Sequence, residues 1–321
     1  MNVLIIGING FLGKAIAATI APGERVNVFG VSRSTTPTDD VEATYIVADR
    51  ALPKTIADVV ISRRIDVVVD VLAMTLGETQ ALVSELDGHI AQYVMLSSSD
   101  VYRNYELLHR KAEGEPVAES VNEESPFRTT RYPYRLSPRR ALSDPDKYLD
   151  EYEKITIEEA VRKISSDWTI LRLPMVYGPG DKQRRFRWAI RHFSKTEEPL
   201  VLPSAWARFV STYGYINNVA QGIALTLGNA KAVNAIYNVG ESILVDHQTW
   251  ASRIARVMNW PGVVEISDEH PSKFDKIVQA IDLSVPFRIS SARIRRELGF
   301  QETVSISETL KRTVEDELAR G

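Results

Sequence analysis

The N-terminal stretch Met1-Asn2-Val3-Leu4-Ile5-Ile6-Gly7-Ile8-Asn9-Gly10-Phe11-Leu12-Gly13-Lys14-Ala15-Ile16-Ala17-Ala18 decides the fold. An apolar run enters a turn punctuated by glycines and leaves as helix-forming sequence. That order puts the N-terminus of a helix beside the end of a buried strand. There, unpaired N–H groups and the positive end of the helix dipole both face an anion. Gly7 permits the tight turn, Gly10 lets the backbone approach a pyrophosphate, and Gly13 lets helix and strand pack closely. The spacing is Gly-x-x-Gly-x-x-Gly, one residue wider in its first half than the most familiar dinucleotide fingerprint.

Working outward, the rest of the chain repeats the strand-then-helix alternation. Buried strands are expected at 3–6, 26–31, 45–47, 66–71, 93–96 and 169–173. Helices are expected at 11–20, 54–62, 78–86 and 148–164, with Pro22-Gly23 ending the first. Near-continuous apolar strands alternating with helices imply a parallel sheet covered on both faces. Residues 103–147 break the rhythm with a polar segment rich in Arg and Pro, containing Arg131-Tyr132-Pro133-Tyr134-Arg135. Loops of this length usually carry function.

Composition narrows the function classes. The 321 residues are 44% hydrophobic and 25% charged, enough apolar sequence for a sizeable core. The net charge of −3 argues against nucleic acid and anionic membranes as partners. No apolar run is long enough to span a bilayer, and the apolar N-terminus lacks the basic flank of a signal peptide. The absence of cysteine removes disulfides, thiolate metal sites and a cysteine nucleophile, and fits a cytoplasmic location. His89, His109, His192, His247 and His270 show no metal-ligand spacing, so no metal is expected.

Four segments, in order, carry a resemblance. They are the glycine turn, Ser97-Ser98-Ser99-Asp100-Val101-Tyr102, Lys154-Ile155 with Glu158-Glu159, and Leu171-Arg172-Leu173-Pro174-Met175-Val176-Tyr177-Gly178-Pro179-Gly180. Ile236-Tyr237-Asn238-Val239-Gly240 and Leu298-Gly299-Phe300 add to it. With these, the chain resembles the extended short-chain dehydrogenase/reductases, the nucleotide-sugar epimerases and dehydratases, along essentially its whole length. The resemblance implies an α/β fold: a doubly wound parallel (Rossmann) sheet with a small C-terminal α/β substrate lobe. Residues 1–177, completed by about 212–240, would bind NAD(P), and 178–321 would mainly bind substrate. It also implies a homodimer and a small-molecule substrate, such as a nucleotide sugar.

For the cofactor, the resemblance implies contacts from Gly7, Asn9, Gly10, Phe11, Leu12 and Gly13. Further contacts would come from Ser32 and Arg33, Asp49 and Arg50, Leu72 and Ala73, Ser97, Lys154, Pro174 and Tyr177. The end of the second strand distinguishes NAD from NADP, because an acidic side chain there repels a 2′-phosphate. Here Ser32 is followed by Arg33, with Ser34, Thr35 and Thr36 beyond. The guanidinium fork favours NADP over NAD.

For catalysis, the resemblance implies a hydroxyl at Ser98 and a Tyr-x-x-x-Lys ending at Lys154. The tyrosine is missing: Asp150 stands four residues before Lys154, and no tyrosine in the chain precedes a lysine by four. On a continuous helix Tyr152 would lie ~200° from Lys154 and face away. The proton carrier therefore stays open among Asp150, Asp100 and Tyr134. Asp150 reads as an ion-pair partner of Lys154 or a general base, because a neighbouring ammonium lowers a carboxyl pKa. Tyr132 and Tyr134 would either deliver a phenol from the long loop or pin that loop down. Arg184, Arg187 and Arg191 would share one helix face suited to phosphate, or be a solvated basic surface. Trp188 and Trp206 read as core. An NAD(P)-dependent oxidoreductase, epimerase or dehydratase is the leading reading. A non-redox cofactor-binding sensor, scaffold or RNA-binding protein is the alternative.

Overall fold

In a computed structural model of the chain, residues 1–21, 25–34, 41–269 and 273–321 are described. The chain opens with β1 (Asn2–Ile6), α1 (Phe11–Ile20), β2 (Asn27–Ser32), β3 (Thr44–Val47), α2 (Pro53–Arg63), β4 (Val67–Asp70), α3 (Leu76–Leu86) and β5 (Gln92–Ser98). After α4 (Arg103–Leu108) come α5 (Lys154–Val161), β6 (Asp167–Leu173), β7 (Met175–Tyr177), α6 (Arg187–Phe193), β8 (Leu200–Leu202), α7 (Ser204–Arg208) and β9 (Tyr213–Tyr215). The remainder holds α8 (Ile216–Ala224), β10 (Ala235–Asn238), α9 (His247–Val257), β11 (Val264–Ile266), α10 (Asp275–Ala280), α11 (Ala292–Leu298) and α12 (Ile306–Ala319).

Seven strands form one sheet in the order β10-β6-β5-β4-β1-β2-β3, and each neighbouring pair is parallel. Strand side chains alternate between faces. Val3 and Ile5 join a cluster with Ile16 and Ala17 of α1 and Val219, Ala220 and Ile223 of α8. Leu4 and Ile6 join the opposite cluster with residues of α2, α3 and α5. Val3, Leu4, Ile5, Ile6, Val67, Val68 and Val69 are fully buried, which explains why these strands read as unbroken apolar runs. The chain leaves β1 towards β2 and later returns on its other side as β4. The loops after β1 and β4 therefore diverge, and this topological switch opens a crevice at the strands' C-terminal ends.

The second layer of structure is C-terminal. Here β8 pairs with β11 and β7 with β9, both parallel. Trp206 and Trp188 pack in this lobe as expected: the Trp206 ring lies 3.9 Å from that of buried His247, and Trp188 is 5.4 Å from Phe274. Among the described residues no helix is long and apolar enough to cross a membrane, and no cluster of potential metal ligands occurs. Pro22, Gly23, Thr35, Thr36 and His270 lie outside the described residues.

The helix expected from residue 148 differs. Lys147–Asp150 make a short 3₁₀ turn, Tyr152 bridges to Thr75, and α5 begins only at Lys154. Glu153 sets that start because its side chain accepts from Ile155 N, as an N-cap does.

Candidate active site

The glycine turn is built as its spacing requires. Gly7 adopts φ +93°, open to glycine but not readily to other residues. A Cβ on Gly13 would stand 2.2 Å from Gly7 O and 2.7 Å from Ile8 Cα, so only a hydrogen fits. Gly10 N–H closes the turn on Gly7 O at 2.9 Å. Gly10 is also the N-cap of α1, and no side chain caps this helix, so its first-turn N–H groups suit an anion. Asn9 Nδ2 donates to Ser32 Oγ at 2.9 Å, while Asn9 Oδ1 is buried with no partner among the described residues. Phe11 packs against Gly180, and Leu12 is half-buried beside it. A glycine cradle, an uncapped helix and an orphaned acceptor together fit a dinucleotide.

At the second-strand end, Ser32 Oγ donates to Ser34 O, and Arg33 is exposed. Asp49 Oδ1 accepts from Ala51 N, holding the turn before α2. Leu72 lies against Gly7 at the crevice mouth. Arg50, expected among the cofactor contacts, is instead committed to the sheet. It is buried, and Nη2 and Nε fork onto Asp70, at 2.6 Å for the closest contact, with Thr79 and Glu78 beside it. Burial by itself would raise the Asp70 carboxyl. The Arg50 charge and hydrogen bonds from Arg50, Tyr93 and Leu72 N hold it below the usual range.

The catalytic candidates meet where β4, β5 and α5 converge. Ser98 ends β5, and its Oγ accepts from Asp100 N at 3.2 Å. Ser97 turns away and donates to Glu158 at 2.5 Å, joining the buried Glu158–Arg172 pair. Lys154 is buried, and its ammonium donates to Ala73 O at 2.5 Å and Leu96 O at 2.9 Å, tying the ends of β4 and β5 together. Burial lowers the Lys154 pKa to about 8 against the raising effect of the Asp100 and Asp70 charges.

Asp150 does not pair with Lys154. Its carboxylate takes Arg140 Nη1 at 2.5 Å, Lys147 Nζ at 3.1 Å and the N–H groups of Leu136 and Arg140. The cause is the break between residues 150 and 154: without a helical turn there, the two side chains lose the spacing that the pairing needed. Although burial pushes the other way, the hydrogen bonds from Lys147, Leu136 and Arg140 hold the carboxyl well below the carboxylate range, which makes it a poor base.

The same break brings in the residue that the sequence reading set aside. Tyr152 lies before α5, and its ring sits 5.5 Å from the Lys154 ammonium. Tyr152 Oη donates to Asp100 Oδ2 at 2.8 Å, and Tyr134 Oη donates to the same oxygen at 2.9 Å. The two phenol rings meet edge-on with centroids 5.1 Å apart. Asp100 is 3% exposed, and its Oδ1 has no partner among the described residues. Burial raises the Asp100 pKa despite opposing contributions from Tyr152, Arg128, Tyr134 and Lys154. Burial, then the Asp100 charge, pushes both phenols well above their usual range. A signal for Tyr152 was present: Asp150, Glu151 and Glu153 crowd the approach to Lys154, where acidic residues favour a helix N-terminus.

The long segment is pinned rather than loose. Arg128 pairs with Glu153 in the interior, at 2.7 Å, and also donates to Asp100 O. Glu106 accepts from Thr129 N and Thr130 N. Tyr132 acts as an anchor, with its N–H on Glu153 and the Arg135 guanidinium 3.6 Å from its ring.

Two expectations further along are corrected. Tyr177 does not line the cofactor end with its side chain. It is fully buried in the C-terminal aromatic core, its hydroxyl 2.9 Å from Thr309 Oγ1, while Pro174 packs under Gly214 and Gly240. Much of the basic run is also paired with acids. Arg184 precedes α6 with φ +50° and pairs with Glu317 at 2.6 Å, Arg187 approaches the same carboxylate at 3.7 Å, and Arg185 pairs with Asp181. Arg184 therefore does not share a helix face with Arg187 and Arg191.

Residues 3–240 match the NAD dependent epimerase/dehydratase family. A stretch of 122 residues, 38% of this chain, is 26% identical to the chloroplast stem-loop binding protein of 41 kDa b of Arabidopsis thaliana. That stretch spans 32% of the relative, so the chain covers only a part of its length. Among solved structures, UDP-glucuronic acid 4-epimerase from Bacillus cereus in complex with NAD is 16% identical, with a TM-score of 0.69 over 100% of this chain and 99% of that one. UDP-glucose 4-epimerase from Thermotoga maritima is 16% identical, with a TM-score of 0.68 over 100% and 99%. At these identities the likeness is one of fold. Because the family match runs from β1 through the strand that completes the sheet, the chain belongs to the NAD dependent epimerase/dehydratase family.

Proposed function

We propose that this protein is an NAD(P)-dependent enzyme of the epimerase, dehydratase or reductase type, acting on a hydroxyl or carbonyl carbon of a nucleotide sugar or similar small molecule. The observation that carries the reading is Tyr152. Its ring stands 5.5 Å from the Lys154 ammonium and its hydroxyl on Asp100, whose backbone N–H donates to Ser98 Oγ. It supplies a tyrosine next to the lysine although the Tyr-x-x-x-Lys spacing is absent.

The turn at Gly7, Gly10 and Gly13, with Asn9 and the first turn of α1, would hold the dinucleotide's phosphates. Ser32 and Arg33 favour NADP, since no acid stands at the strand end to repel a 2′-phosphate. When bound, the nicotinamide supplies a hydride donor and acceptor. Ser98 Oγ would hold the substrate oxygen by a hydrogen bond. Tyr152, kept in its protonated form by burial, would give that oxygen a proton. Asp100, pushed towards its protonated form by burial, would restore the Tyr152 proton across their 2.8 Å hydrogen bond.

The test is binding and turnover in one sample. NADPH and NADH are titrated by fluorescence, then incubated with a panel of UDP-sugars, using wild-type protein and the Tyr152→Phe variant. Turnover that persists unchanged in Tyr152→Phe sinks the assignment. A hairpin RNA belongs in the same panel because the plant relative's name describes stem-loop binding. The acids paired with Arg184, Arg185 and Arg187 weigh against that second reading.

A further inference from the structure

The segment between Thr130 and Arg140 covers the catalytic cluster in a way that has a functional consequence. Its two ends are held differently. The N-terminal end is clamped by buried groups: Arg128 on Glu153 and the Thr129 and Thr130 N–H groups on Glu106. The C-terminal end hangs on two neighbouring carboxylates: exposed Glu151 pairs with Arg135 at 3.0 Å and Arg139 at 3.2 Å, and buried Asp150 makes the interior hold, while Lys111 Nζ donates to Pro133 O in between. Asp150 accepts from Leu136 N at 3.3 Å, Arg140 N at 2.9 Å and Arg140 Nη1 at 2.5 Å, while its own carbonyl takes Arg135 Nε at 2.8 Å. Between these holds, Tyr132 has φ +52°, a left-handed conformation that a bulky residue adopts at a cost. Two residues on, Tyr134 drops its hydroxyl onto Asp100 Oδ2 and packs its ring edge-on to Tyr152 and Tyr105.

In this arrangement Asp100 is 3% exposed, and the Tyr134 hydroxyl occupies a hydrogen-bonding position over the cluster. A substrate oxygen that is to meet both Ser98 and Tyr152 needs that space.

We propose that residues 131–140 are a gating lid over the catalytic cluster: Tyr134 is its plug, seated on Asp100 where a substrate hydroxyl would bind, and Asp150 is the latch that holds it shut. The proposal rests on the enzyme reading for its purpose, and on Tyr134 and Asp150 for its mechanics. Opening hinges at Tyr132, leaves the Arg128–Glu153 clamp in place, and exchanges the Tyr134–Asp100 hydrogen bond for one to substrate. Asp150 is thus a positioning residue that acts through the lid.

The absence of native cysteine makes the test direct. Ser98→Cys places a unique thiol at the edge of the lid, where Ser98 is half-buried, and its rate of labelling by N-ethylmaleimide, compared with a free thiol, reads access. The rate should be slow in Ser98→Cys alone. It should rise at least tenfold when Asp150→Asn or Tyr134→Ala is added. Hydrogen–deuterium exchange should quicken by a similar factor in peptides covering 131–140 in Asp150→Asn, and stay unchanged over α4 and α5. If Asp150→Asn does not fold, Arg140→Ala removes the half-buried cation of the same latch and carries the test. Equal labelling rates in the folded variants, or free-thiol reactivity in Ser98→Cys alone, would overturn the lid. None of these readouts needs turnover. Turnover is read separately in protein that keeps Ser98: an open lid in the thiol assay with no UDP-sugar turnover there rejects the enzyme reading alone, and turnover with unchanged labelling rejects the lid alone.

Discussion

The ring of Tyr152 stands 5.5 Å from the ammonium of Lys154, although a continuous helix would hold residues two apart on opposite sides. The chain achieves this by entering α5 at Lys154 itself, with Tyr152 still in the extended approach. Replacing Tyr152 by Phe keeps the ring and removes the hydroxyl. We expect kcat to fall by roughly 10²–10⁴, the range for a lost acid–base group. The exposed Tyr148→Phe variant should match wild type, and steady-state kinetics on a UDP-sugar substrate would separate them.

Gly13 and Gly77 offer a matched pair. An added Cβ at Gly13 collides with Gly7 O at 2.2 Å, whereas at Gly77, near the start of α3, it meets nothing within 4 Å. Gly13→Ala should abolish NADPH and NADH binding in a fluorescence titration. Gly77→Ala should bind normally and stabilise the fold by about 0.5–1 kcal/mol.

The proposed preference for NADP rests on Arg33. Arg33→Ala should raise the Kd for NADPH by about tenfold or more, the scale of a lost charge-assisted hydrogen bond, and leave the Kd for NADH unchanged. Parallel titrations decide it, and equal effects on both cofactors would remove Arg33 from the site.

Glu241 provides a pH signature away from the chemistry. It is 5% exposed, accepts from Tyr215 N at 3.1 Å and from Tyr177 Oη at 3.3 Å, and burial pushes its pKa up to about 7 from 4.5. A carboxyl raised in the folded state contributes stability that is complete below pH 4.5 and lost as pH climbs through 7. Gln mimics the protonated form. Glu241→Gln should therefore match wild type near pH 4.5 and exceed it at pH 8, by at most about 3 kcal/mol. Thermal unfolding at the two pH values would show the difference grow, and a constant difference would contradict the assignment.

Arg50 and Asp70 are both buried and joined at 2.6 Å. Asp70→Asn should destabilise the protein by about 3–5 kcal/mol, because it leaves a buried guanidinium without its counter-charge. Denaturant unfolding would measure this. The same variant should keep its cofactor affinity if Arg50 serves the sheet rather than the ligand.

The sequence by itself determined the sheet and the glycine turn. Both are written in local patterns: apolar runs such as Val3–Ile6 and Val67–Val69, helices of matching period between them, and glycines where no side chain fits against Gly7 O. The places of Ser98 at the end of β5 and Lys154 on the expected helix were legible too, since each sits at a fixed offset from such an element. Only the tertiary structure decided which groups surround them. Arg128 reaches Glu153 across 25 positions of chain, and Glu153 as N-cap sets where α5 begins. That start turns Tyr152 inward, frees Asp150 to hold Arg140 instead of Lys154, and lets Tyr134 descend on Asp100. A helix boundary set by a long-range ion pair leaves little trace in local periodicity, yet here it selects the phenol beside the lysine.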